Sequence, residues 1–191
     1  MPFTYEPPPA EPALRQGELL QNIWLHLARI GSAELAEGTQ VGIESVQHQL
    51  MVPLNADCDL YWDHQTRFPE GQPPVTDESL PRLVPFVILC EAYPRDSVRT
   101  RPGINQEVWR HIEQNQDERY HRFPSAPIGN PPNGQVPELV FDFKKTFAVA
   151  TRALYEGLGH GVHRMAMTPP VYLHDFIHRF YSFHSRVALP E

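Results

Sequence analysis

Scarce cysteine, a deficit of basic residues and the lack of any long apolar run set the first limits on this chain. Cys58 and Cys90 are its only cysteines, too few for a disulfide framework or a Cys-rich zinc module. Each stands beside apolar, strand-like residues, so the expectation is two buried, reduced thiols in a reducing compartment. Sixteen Lys and Arg against 23 Asp and Glu give a net charge of −7, whereas a nucleic-acid surface needs clustered cations to neutralise phosphates. Nucleic acid is therefore the less favoured partner. Two local basic spots remain, "RDSVRTR" with Arg95, Arg99 and Arg101, and "FKK" with Lys144 and Lys145. No run approaches the roughly 18 apolar residues of a membrane span, and "MPFTYEPPPAEPALRQ" has no apolar core of a secretory signal. A cytoplasmic protein with no membrane partner is expected.

Motifs that would fix a reaction are missing too. There is no Gly-rich phosphate loop followed by Lys, no G-x-S-x-G elbow, no dinucleotide fingerprint, no H-E-x-x-H and no paired C-x-x-C. Ser, His and Asp occur in no order that marks a triad. No cofactor is expected from the sequence.

Proline is what the chain has in excess, 21 in 191 residues, about twice the usual share. So many fixed φ angles and lost donors disfavour long helices and suit short strands joined by rigid loops. Residues 1–13, with Pro2, Pro7, Pro8, Pro9 and Pro12, read as a flexible proline-rich arm. Residues 14–191 read as a single domain, which the length of the chain favours over two.

Within that domain, residues 17–30 admit either a helix or a strand, since Leu20, Ile23, Trp24, Leu27 and Ile30 fit a helical face. Residues 45–55 alternate Val46, His48, Leu50, Val52 and Leu54, the period of a strand with Cys58 just past its end. Residues 83–93 form a short apolar run, a strand buried on both faces. Asn105 is a suitable N-cap for a short helix carrying Val108, Trp109 and Ile112. Residues 118–124, 138–150 and 162–167 read as further strands. The closing helix is the clearest element, with Thr168 as N-cap, Pro169 in the first turn, and Leu173, Phe176, Ile177, Phe180, Phe183 and Val187 on one stripe. These elements predict an α+β fold: a small, SH3-like, mainly antiparallel β-barrel with a few helices and a C-terminal amphipathic helix packed on it.

Three features in order, "LRQGELLQNI", a strand followed by "CDL", and a closing helix ending "SRVALP", resemble a group of bacterial proteins that also share an "ELVFDF"-like strand. That group resembles the SH3-like barrels of the MazF and PemK toxin superfamily over most of residues 14–190. The resemblance implies the barrel fold and a component of a toxin or defence system. MazF-type ribonucleases carry an Arg-Pro-hydrophobic run after their first strand. The nearest match here, Arg101-Pro102, falls in a loop, so the fold transfers and the ribonuclease chemistry does not.

Candidate chemistry centres on Cys58 and Asp59. A partly exposed thiol becomes a nucleophile when a nearby base or cation lowers its pKa, and His64, Arg67 or a distant histidine is suited to that task. The competing reading is structural: Cys58 caps the strand as a small hydrophobe while Asp57 or Asp59 bonds loop amides. Arg186 is the fourth member of the candidate set, with a structural role in pairing Asp59 or Asp142 and fastening the last helix. Arg179 near the same helix end is explained by the helix dipole. His174 and His178 share a helix face and His160 and His163 occupy the segment before it, but each pair supplies only two of the three or four ligands zinc needs. No metal is assigned. The sequence thus favours a protein that binds another macromolecule, most naturally a protein. The alternative is a hydrolase or MazF-like ribonuclease using Cys58, Asp59, His64 and Arg186. Oligomeric state is left open.

Overall fold

A computed structural model describes residues 3–29 and 42–185. In chain order it forms β1 (Glu18–Arg29), β2 (Gly42–Pro53), α1 (Asp57–Arg67), β3 (Phe86–Pro94), α2 (Arg95–Arg99), α3 (Gln106–Glu113), β4 (Tyr120–Phe123), β5 (Ala126–Pro127), β6 (Gln135–Val136), β7 (Leu139–Ala150), α4 (Thr151–Leu158), β8 (His163–Met167) and α5 (Pro170–His184). The fold is α+β. Six strands form one antiparallel sheet in the order β4-β7-β3-β2-β1-β8, and β5 pairs with β6 in a separate small ribbon. The sheet is not closed into a barrel. Its outer strands β4 and β8 have only four and five residues and stand at opposite ends of the order.

The segment left open between helix and strand is β1. Its helix-like spacing has a local cause: Asn22 sits in the left-handed region at φ 61°, and Leu20 and Ile23, three residues apart, join the same apolar cluster. Gly17, at φ +79°, opens the strand, and a side chain there would run into Leu173 of α5.

One sheet face carries Leu50, Val52, Cys90, Ala92, Leu139, Phe141 and Phe143, covered by Phe176 and Phe180 of α5. The amphipathic stripe of α5 does seal this face. Its start differs from expectation: Pro169 is the cap residue, Pro170 the first helical residue, and no side chain caps the end. Val187, placed on the stripe, lies outside the described residues. Arg179 donates to the backbone carbonyls of Asn115, Asp117 and Tyr120. It therefore ties α5 to the turn before β4, a more specific task than the dipole alone assigns it.

The opposite face carries two separate clusters. In one, Leu60 of α1 and Leu154 of α4 pack on Leu20, Met51, Val87 and Leu89. In the other, Val98 of α2 and Trp109 and Ile112 of α3 pack on Tyr120 and Val140. As expected, Asn105 caps α3, accepting from the Val108 amide at 2.9 Å. Residues 3–13 run along the domain and are held at several points. Tyr5 is fully buried, Glu6 bridges Met167, and Arg164 donates to the carbonyls of Pro9, Glu11 and Ala13 and to the buried Glu18.

Helix α1 has no counterpart in the sequence reading. Two of its inward positions are charged: Asp63 and Arg67, both fully buried, pair at 2.8 Å. Arg67 also holds Glu78 at 2.5 Å, and Asp63 accepts from the Val84 amide at 2.8 Å. The 68–85 loop is clipped to the helix through these bonds. Losing one partner of such a buried pair strands the other charge, a cost of about 3–5 kcal/mol.

His121 lies fully buried on β4, among Phe123, Phe143 and Phe176. Burial, aided by the Arg179 charge, pushes its imidazole down to about 3 from 6.5. The folded state therefore holds it neutral while the unfolded chain protonates it below pH 6.5. Its contribution is complete above that pH and is lost as pH falls toward 3, by about 1.4 kcal/mol per pH unit. The half-buried His64, also lowered by burial, adds in the same direction. We expect His121→Phe to flatten the decline in urea-unfolding stability between pH 6.5 and 5. An unchanged slope contradicts this assignment.

Candidate functional site

The strand β2 ends at Pro53 and the chain turns at Asn55, whose side chain accepts from the Ile88 amide at 2.7 Å and donates to the Phe86 carbonyl at 3.3 Å. Cys58 therefore does not cap a strand. It sits in the first turn of α1, exposed, with Sγ 3.7 Å from Asp59 Oδ1. Only Cys90 is buried, its thiol pushed up in pKa by loss of solvent. Asp57 does bond a loop amide, accepting from Gln16 N at 3.0 Å, and it takes the Arg15 guanidinium at 2.8 and 2.9 Å.

His64 follows Cys58 by six residues on α1, which places it about 9 Å along the axis and roughly 240° around it. It packs between Phe68 and Tyr155, at ring distances of 5.1 and 5.6 Å, with Nδ1 buried and unpartnered. The geometry keeps Cys58 and Asp59 together and leaves His64 on another side of the helix. Arg186 lies outside the described residues. Asp142, one of its two expected partners, is occupied by other arginines. His160, His163, His174 and His178 are exposed, and among the described residues no group of three or more His, Cys, Asp or Glu is placed to hold a metal ion.

The densest polar constellation lies elsewhere, as a seam between the two apolar clusters. Glu91 alternates with Leu89 and Tyr93 on β3, so it points to the same face as both. Its Oε1 accepts from His48 Nδ1 at 2.7 Å, and its Oε2 accepts from the Tyr93 hydroxyl. A carboxylate only accepts, so Nδ1 of His48 carries a proton. Tyr93 is raised in pKa by burial and by Glu91. Arg101 lies 4.0 Å over the Tyr93 ring and reaches Asp142 at 3.2 Å. Arg119 grips the same fully buried carboxylate in two bonds of 2.7 and 2.6 Å. A bulge positions Asp142: one residue of β3, Glu91, opposes four of β7 between the pairs Cys90↔Thr146 and Ala92↔Phe141.

His48, only 6 % exposed, presents an unpartnered Nε2 that is shut off from solvent. The seam is thus an internal brace joining β2, β3 and β7 to the turns around α2 and β4. Its sequence signal was Asp142 inside the otherwise apolar "ELVFDF" strand. Arg101, set aside as a loop residue, is the cation that Asp142 requires.

A second feature is geometric. Strands β1 and β2 have 12 residues each, yet β8 pairs with β1 only over Glu18–Gln21 and β3 pairs with β2 only over Met51–Pro53. Beyond Ile23 and His48 the two strands pair with each other alone, and among the described residues no third strand lies along either edge. Trp24 is 54 % exposed there and Ile43 73 %.

The exposure of Cys58 and the burial of Cys90 give a direct check. One thiol per chain is expected to react with a thiol-disulfide exchange reagent in the native protein, and the second only in denaturant. Two thiols reacting at similar rates contradict the placement of α1.

Comparison with protein-family models, curated proteins and solved structures finds no match to this chain.

Proposed function

We propose that this protein works by binding another protein, through strand pairing at the projecting half of the β1–β2 hairpin. The observation that carries the proposal is the pair of edges, each about six residues long, that no third strand covers among the described residues. An open edge presents a row of unpaired N–H and C=O groups that templates another strand. Protection is sparse: residues 23–29 and 42–48 contain neither proline nor lysine, and Arg29 and Glu44 are their only Asp, Glu, Lys or Arg residues. Exposed Trp24 and Ile43 add apolar area that a partner removes from water.

A toxin or defence system, suggested by the resemblance to the MazF and PemK superfamily, is the context in which we propose to seek that partner. A hydrolase or ribonuclease centred on Cys58 and Asp59 has less support, because His64 does not face them and Arg101 is committed to Asp142.

The test is a photo-crosslinking residue at position 43, introduced into the protein in its host cells. A discrete crosslinked protein is expected, and the added Trp24→Lys substitution should abolish it while leaving the circular dichroism spectrum and unfolding midpoint nearly unchanged. Absence of any crosslink, together with a monomer at all concentrations, overturns the proposal.

A further inference from the structure

Strand β8 gives up the edge of β1 early. Their last pair is Gln21↔His163, and Val162, the residue before, turns its amide to the Gly157 carbonyl of α4 at 2.9 Å. A groove of about 280 Å³ opens at this point. Asn22, Ile23, Trp24 and His26 of β1 form one bank, and Ala153 and Leu154 of α4 line it too.

The groove is the flank at which an apolar cluster reaches the surface. Ile23 and Leu154 are buried members of that cluster, and Val149 and Val162 pack against it. None of the lining residues is Asp, Glu, Lys or Arg. Of the two histidines, His26 is bonded through Nδ1 to Ser45 Oγ at 2.8 Å, and His160 is exposed to water. A charged side chain placed here would lose water and find no Asp, Glu, Lys or Arg to pair with, whereas an apolar one extends the core.

We infer, on the reading that this hairpin pairs with a partner's strand, that the strand adds to β1 in the lane β8 leaves. It is an extended segment of another protein that inserts one large aliphatic or aromatic side chain into the groove. The backbone edge of β1 selects an extended segment, whose side chains alternate, so every second one points to the face that the groove occupies. At about 280 Å³ the groove is smaller than the roughly 300–1,000 Å³ of small-molecule sites. A second copy of this chain suits it less. Antiparallel two-fold pairing of two β1 edges brings to this face Ile23 and Leu25, which are 2 % and 8 % exposed in their own core.

Isothermal titration of the full chain tests this with three end-blocked peptides, Lys-Thr-Thr-Thr-X-Thr-Thr-Thr-Lys, in which the central X is phenylalanine, alanine or glutamate. The phenylalanine peptide is expected to bind at least tenfold more tightly than the alanine peptide, and the glutamate peptide no better than the alanine one. Ala153→Trp, at an exposed position on α4, fills the groove and leaves the β1 edge untouched. It should remove the phenylalanine advantage with an unchanged unfolding midpoint. Ala153→Glu, which adds charge to the same wall, should weaken the phenylalanine peptide as well. Equal binding of the phenylalanine and alanine peptides, or an advantage that survives Ala153→Trp, overturns the inference while strand pairing stands. Binding of neither at millimolar peptide overturns it too, and the crosslink from position 43 then decides strand pairing separately. A dimer of the protein alone that Ala153→Trp dissociates makes a second copy the occupant and likewise overturns it.

Discussion

The length of the β1–β2 pairing relative to its neighbours governs this structure. Two 12-residue strands run side by side, while the strands that flank them hold on over four residues on one side and three on the other. The lower half of the hairpin is buried at Leu19, Leu20, Met51 and Val52, and on β1 the core continues to Ile23 and Leu25. Among the described residues no further strand pairs with the upper half along either edge. Strand edges of this kind are normally capped, charged or shortened, which is the ground for the proposed docking role.

Charge inside the domain is handled by pairing. Asp63 with Arg67, Glu18 with Arg164, and Asp142 with Arg101 and Arg119 each place a fully buried carboxylate against a guanidinium. The first clips the 68–85 loop to the helix it follows, and the other two join segments far apart in sequence: the N-terminal arm and β1 to β8, and the turns flanking α3 to β7. These contacts add less net stability than an apolar core of equal volume, but losing a single partner is costly. They fix which loop lies where, and so determine which surfaces stay open.

The sequence signals divide along the same line. Strands β2, β3, β7 and β8, and helices α3 and α5, were legible because apolar side chains supply their periodicity. Helix α1 was not, because Asp63 and Arg67 occupy inward positions that an apolar count reads as solvent. β1 was ambiguous because the left-handed Asn22 resets the alternation and imitates helical spacing. Helix α4 was hidden because it continues straight from β7 with no capping side chain at its start, and only Thr151 and Leu154 are buried positions. Barrel closure rests on how far edge strands extend, which residue pattern does not encode. Of the candidate site, Cys58 and Asp59 stand together in the first turn of α1. The gap lay in taking His64 as their neighbour, since helical phase decides that, and in passing over Arg101, whose partner is 41 residues away.

Hydrogen–deuterium exchange resolved by residue, on dilute protein without a partner, tests the open hairpin most directly. Amides of Leu19–Gln21 and Met51–Val52 should exchange only through global unfolding. In Trp24–Arg29 and Gly42–Gln47, alternate amides that point to the open edges should exchange orders of magnitude faster. Uniform protection along the full length of both strands contradicts the account.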